Sequence, residues 1–173
     1  MANTIPQTIA NAEVYLEGER IPGLVTIELG NLQPVTVEMK GNGFGGQTDV
    51  PVRGHFQNMS MKLTWRVAAA EVRKLMVQKY HHIEAWAAVQ TVDSATGEFI
   101  DVQQKVVFRA CPTNTNLGNF TMGELQNVEI DFNYTYMKWF SGNEEICEID
   151  QPNMIHKVYG QDMLAGIRGA SGL

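Results

Sequence analysis

Apolar and polar residues alternate with period two through most of the chain. In QNMSMKLTWR, Met59, Met61, Leu63 and Trp65 alternate with Asn58, Ser60, Lys62 and Thr64, which puts the first set on one face of a β-strand and the second on the other. NVEIDFNYTYMKWF is clearer still, with Val128, Ile130, Phe132, Tyr134 and Tyr136 on one side and Asn127, Glu129, Asp131, Asn133 and Thr135 on the other. Shorter stretches of the same kind predict strands at Ala12–Glu17, Leu24–Leu29, Val35–Met39, Ile83–Val92, Glu98–Arg109 and Glu144–Ile149. Turn-forming residues punctuate them at Glu17-Gly18-Glu19, Asp93–Gly97 and Ser141-Gly142-Asn143.

Two segments have helical spacing instead. VAAAEVRKLMVQKY, from Val67 to Tyr80, carries Val72, Leu75 and Met76 on one side and a run of alanines that favours helix. A second begins at Gln161-Asp162, where an aspartate suits a helix N-terminus, and runs through Met163, Leu164 and Ile167 to Gly169. The predicted fold is mainly β: a single domain over 1–173, an antiparallel β-barrel or sandwich with one flanking α-helix and a short C-terminal helix.

Composition narrows the function classes. A chain of 173 residues with 44% hydrophobic and 18% charged residues is long enough for one core. It has no apolar run that would span a bilayer, and its first residues lack the pattern of a signal peptide, so a soluble protein made in the cytoplasm is expected. The net charge of −6 argues against a tight grip on nucleic acid, though not against a surface past which DNA slides. Cys111 and Cys147 stand far apart in strand-like surroundings and read as inert thiols.

Candidate chemistry is sparse. GNGFGG (41–46) has the letters of a dinucleotide loop, but the chain continues into QTDVPVRGHF, with Pro51 and then a strand, where a phosphate-binding helix would be needed. The loop reads as an assembly element in which Lys40, Gly41, Gly43, Phe44, Gly45 and Gly46 touch a neighbouring copy, Phe44 being an aromatic costly to leave in water. His81 and His82 are adjacent on a strand and point to opposite faces, so they cannot share a metal. Glu129 and Asp131 share one face as an acid–base pair would, but a solvated strand face explains them as well. No cofactor, metal or catalytic constellation is expected, and the protein reads as a non-enzyme.

The ending EIDQPNMIHKVYGQDMLAGIRGASGL carries more information. Glu148-Ile149-Asp150, Asn153-Met154-Ile155, Lys157-Val158, Gly160, Asp162, Leu164, Arg168 and Gly172-Leu173 resemble the C-terminal signature of the FII-type major tail tube proteins of contractile-tailed bacteriophages. Ile5-Pro6-Gln7-Thr8, Asn11 and Val14-Tyr15-Leu16 with Gly18 are similar to the family's start, and Glu38-Met39-Lys40-Gly41 with Gly43-Phe44 to its glycine loop. The resemblance implies a subunit that forms hexameric rings stacked into the inner tube of the tail. That tube would enclose the tape measure protein, be wrapped by the tail sheath protein and meet baseplate hub and tail terminator proteins. It would be assembled in the host cytoplasm, become part of the virion and pass DNA without membrane insertion by the subunit itself. Two other readings stay open: the tube of a DNA-free contractile bacteriocin or an Hcp-like secretion ring, and a small ligand-binding barrel or enzyme.

Within that reading, Met154, Ile155, Leu164, Ile167 and Leu173 are expected to dock the C-terminal segment on the subunit or its neighbour. Glu129, Asp131 and Asn133 are expected to line the lumen, because the other side of their strand is aromatic enough to be core.

Overall fold

The computed structural model describes residues 4–41 and 45–172. Strands dominate: β1 (Thr4–Leu16), β2 (Glu19–Ile21), β3 (Val25–Glu28), β4 (Pro34–Met39), β5 (Thr48–Phe56), β6 (Ser60–Trp65), β7 (His81–Asp93), β8 (Phe99–Asn116), β9 (Val128–Ser141), β10 (Glu144–Asp150), β11 (Ile155–Val158) and β12 (Gln161–Asp162). One antiparallel sheet runs β12-β11-β10-β9-β8-β7-β1-β2, and β6 joins the first half of β9 and carries β3 on its other edge. This sheet folds over itself around Trp65, Phe108, Phe132, Ile83, Ile130 and Leu63, all buried. The alternation read from the sequence has its physical basis here, since period-two side chains fall alternately into that core and away from it.

Of the two architectures expected, the sandwich is the one formed. Closure into a barrel would need β3 to pair with β1, yet among the described residues β3 pairs only with β6, and the 4–12 stretch of β1 only with β7. Strands β4 and β5 form a separate two-stranded ribbon.

Three local expectations change. The segment around Val72 is a 3-10 helix, Ala70–Met76, and not an α-helix of fourteen residues by its sequence span. Its two buried residues, Val72 and Leu75, lie one 3-10 turn apart, and Ala69 ahead of it offers no capping side chain. The C-terminal α-helix, α1, is Ala165–Ser171, so it starts later than expected, because Gln161 and Asp162 pair with β11. Asp162 still satisfies the approach to that helix, accepting the Leu164 N–H at 2.9 Å. Finally, Tyr136 does not share the face of Tyr134. The ladder between β8 and β9 shifts register between Arg109 and Ala110, so Met137 enters the core and Tyr136 turns outward to donate its hydroxyl to Glu148.

Candidate functional site

Strands β4 and β5 form a two-stranded arm, with Gly41 following β4 and Gly45 and Gly46 preceding β5. Val37 faces Val50 and Met39 faces Thr48 across the β4–β5 ribbon, and Val37, Met39 and Val50 are exposed although apolar. Pro51 lies opposite Thr36 in a ribbon that has no third strand among the described residues, the setting in which a proline's missing N–H costs least. At the tip Lys40 pairs with Glu38 at 3.0 Å, and Gly41, Gly45 and Gly46 are exposed. Gly43 and Phe44 lie outside the described residues. The ribbon thus leaves apolar side chains exposed to solvent, away from the subunit's own core.

The C-terminal segment docks at the base of that arm. Leu164 is 2% exposed and lies with Met163 and His156 in a hollow completed by Pro34, Val52, Gly54 and Phe56. Phe56 meets the His156 ring edge-on at 5.2 Å. Arg168 holds the helix back on the strand region, donating to the Met154 carbonyl at 2.8 Å and pairing with Asp162. Of the docking residues read from the sequence, Leu164 is buried and Met154, Ile155 and Ile167 are half-buried, while Leu173 lies outside the described residues. What the sequence reading missed is that this segment extends the sheet: β11 pairs along β10, with Glu148 opposite Lys157 and Ile149 opposite His156. Four residues after a proline turn, Ile155-His156-Lys157-Val158, show no period-two alternation and are too short to mark a strand.

Glu129, Asp131 and Asn133 share the face of β9 that points away from the core, opposite Thr64, Lys62 and Ser60 of β6. The Lys62 ammonium stands between the two carboxylates, 3.5 Å from Glu129 and 3.7 Å from Asp131, and their charges, that of Asp131 first, raise its pKa. Asn114 donates to Asp131 at 2.9 Å and Asn58 to Asn133 at 3.0 Å. The three residues are therefore together and facing outward, tied into a lattice with Lys62.

That lattice continues along the same side of the sheet. Successive ladder partners run Tyr15, Glu84, Val107, Lys138, Glu148, Lys157 and Asp162 across strands β1, β7, β8, β9, β10, β11 and β12. Opposite charges meet directly: Lys105 reaches Glu84 at 2.9 Å, Lys138 reaches Glu145 at 2.8 Å, and Lys157 reaches Glu148 at 2.9 Å. Lys105 also lies over the Trp86 ring, 4.6 Å from its centroid. Burial would raise the Glu148 carboxyl, but the Lys157 hydrogen bond, the Lys138 charge and the Tyr136 hydroxyl outweigh it, holding the group below the usual carboxylate range. The Tyr136 phenol is pushed up to about 12 by burial and by Glu148 beside it. Cross-strand pairs of this kind stabilise a sheet and leave its face nearly neutral.

His81 and His82 point apart as expected: His81 is buried with Nε2 at 2.8 Å from the Val77 carbonyl, and His82 is exposed beside Glu84. Cys111 and Cys147 are unlinked, and burial pushes the Cys147 thiol up, away from the reactive thiolate. No group of three His, Cys, Asp or Glu with metal-site geometry occurs among the described residues.

The described residues thus form an open sandwich with a two-stranded ribbon, a docked C-terminal segment and an outward face whose charges pair with one another. The chain belongs to the phage tail tube protein FII family, whose model matches residues 6–172. The family is one of structural tail components, which places this chain in the virion tail. Compared by sequence with curated proteins, it has no significant match. Its fold is similar to that of the PVC sheath/tube terminator of an extracellular contractile injection system in the extended state, with 16% identity and a TM-score of 0.53 over 79% of this chain and 97% of that one. It is also similar to a chain of the PVC sheath-tube complex in the extended state, with 18% identity and a TM-score of 0.50 over 75% of this chain and 88% of that one.

Proposed function

We propose that this protein is the major tail tube subunit of a contractile-tailed phage, forming hexameric rings that stack into the conduit for genome delivery. The observation that carries the reading is the family match over 6–172, which covers nearly the whole chain, arm and docked tail included. In this reading the arm, with Lys40, Gly41, Gly43, Phe44, Gly45 and Gly46 at its tip, reaches a neighbouring subunit or ring. The half-open sheet supports a channel pooled from several copies, because a small sheet closed on itself is filled by its own side chains. The charged face, with Glu129, Asp131 and Asn133, lines the lumen, where paired charges would neither hold phosphates nor lose the tube's order.

The tape measure protein occupies the lumen before the genome, the sheath protein wraps the outside, and terminator and baseplate hub proteins close the ends. Negative-stain microscopy of the purified protein tests this directly: rings and tubes are expected, and a compact monomer at every concentration and salt would overturn it. The likeness in fold to PVC proteins favours one second reading, a tube that carries no DNA. Intact particles containing nuclease-protected DNA would decide for the phage tube.

A further inference from the structure

We infer that Leu164 is a wedge that sets the direction of the β4–β5 arm, so that docking of the C-terminal segment and orientation of the arm form one conformational switch. The inference concerns the unassembled subunit and does not depend on the tube reading.

The arm has an elbow. Pro34 pairs with Phe56 and Thr36 with Pro51, so that Val35 alone in β4 spans Val52, Arg53, Gly54 and His55 in β5. A bulge of this size interrupts the ladder and bends the ribbon, and Gly54 supplies the positive φ of the bend. On the inner side of the elbow the chain is held by the body. A Cβ on Gly30 would collide with the Ser60 carbonyl, the Gln57 N–H donates to the Gln33 carbonyl at 2.8 Å, and Phe56 packs against the main core. On the outer side every residue from Thr36 to Met39 and from Thr48 to Pro51 is exposed. The outer ladder therefore gains little from the body, and the elbow decides where it points.

Leu164 sits in that elbow. The hollow beside it, about 200 Å3, is bordered on the arm side by Pro34 and the run from Pro51 to Phe56, which is the bulge and the residues that bound it, and on the other side by His156, Met163 and Leu164. The space a Cβ would take at Gly54 is occupied by the Leu164 methyl carbons. Leu164 is buried yet stands outside the main core, so its burial comes from the elbow and from the C-terminal segment itself. The wedge has its own fastening. Asp162 accepts the Leu164 N–H at 2.9 Å and pairs with Arg168, which also donates to the Met154 carbonyl at 2.8 Å, and the Met163 N–H donates to the His156 carbonyl at 2.8 Å. Seated, the side chain holds one bend angle; released, it leaves a void that the ribbon closes only by changing that angle. Packed contacts of this kind have two discrete arrangements and not a graded series. In the proposed tube, a seated wedge presents the arm to a neighbour in one preset direction, which lowers the ordering cost of the contact.

The test measures the direction of the arm in the full chain before assembly. Spin labels at Asp49→Cys on the arm and Asn143→Cys in the β9–β10 turn, both exposed positions, are placed in a Cys111→Ser/Cys147→Ala background that removes the two free thiols. Double electron–electron resonance on dilute, unassembled protein then gives the distance distribution between them. With Leu164 present one narrow distribution is expected. Leu164→Ala should broaden it about twofold or more while the circular dichroism of the sheet is retained, and Leu164→Met, of similar volume, should keep it narrow. Should Leu164→Ala not fold, Arg168→Ala, which cuts the fastening and leaves the hollow's lining intact, is read in its place with the same broadening expected. A narrow distribution in the variant read, or a broad one with Leu164 present, would overturn the inference. Equal broadening by Leu164→Met would overturn it too, since the arm would then respond to any change at this position and not to lost volume. Loss of the fold in both Leu164→Ala and Arg168→Ala would do the same, because the segment would then be holding the core and not the elbow. None of these outcomes bears on the tube reading, which the presence or absence of rings decides.

Discussion

Gly54 in the arm packs directly against Leu164 in the C-terminal segment: a Cβ added to Gly54 would lie 2.5 Å from both Leu164 methyl carbons. Gly54 also has φ +76, where a side chain is strained regardless of space. The arm's base and the tail are thus one packing unit. Gly54→Ala is expected to lower stability by about 1–3 kcal/mol, read as a shift in urea midpoint at unchanged slope. Leu164→Ala alone should cost about 2–5 kcal/mol. Adding Gly54→Ala to it should cost less than Gly54→Ala costs alone; strict additivity would show that the two residues do not share the site.

The arm's exposed apolar residues give a second test. Val37→Asp/Met39→Asp changes side chains that project from the ribbon and leave the core untouched, so the circular dichroism spectrum and melting temperature should match wild type while assembly is lost. Phe44→Asp should act in the same way. Tubes of normal length from both variants would take the arm out of the interface.

Most of this architecture is legible in the sequence because a period-two pattern has one physical cause. Met61, Leu63 and Trp65, and Val128, Ile130 and Phe132, point where the alternation puts them. The pattern fails at Tyr136 because a bulge inserts a residue without changing composition, and nothing in NVEIDFNYTYMKWF marks it. Barrel closure was equally hidden, since pairing between β1 and β3 depends on strand edges and not on side-chain polarity. The exposure of Phe120 and Met122 is hidden for a related reason: LGNFTMGELQN looks like any polar, glycine-bearing loop.

Acid and base should each weaken the outer sheet face. The Glu148 carboxyl is held below the ordinary carboxylate value, so its contribution is fully present above the unfolded value of about 4.3 and is lost as pH falls through the lower folded value. At the other extreme Tyr136, pushed up to about 12, favours the folded state in its neutral form. Stability should therefore fall as pH rises from about 10 through that value. Glu148→Gln should flatten the acid limb of a stability–pH curve measured by urea unfolding. An acid limb identical to wild type would show that other carboxylates carry it.

Placing Glu129 and Asp131 in the lumen makes a charge-reversal series decisive. Each carboxylate lies within 4 Å of the Lys62 ammonium, so Glu129→Lys/Asp131→Lys creates a cluster of like charges on a partly exposed face. The stability loss should be small, because such pairs are screened by water and salt. Tubes should still form, but DNA should leave more slowly through a lining that now binds phosphate, most of all at low ionic strength. Adding Lys62→Glu restores opposite charges across the β6–β9 ladder and lowers the positive excess, so release should move back toward the wild-type rate while stability recovers. Single-particle ejection assays over a salt series would measure both effects. If the double variant releases DNA at the wild-type rate at the lowest salt, this face lies on the outside of the tube, and its loss of charge should then be sought in sheath binding instead.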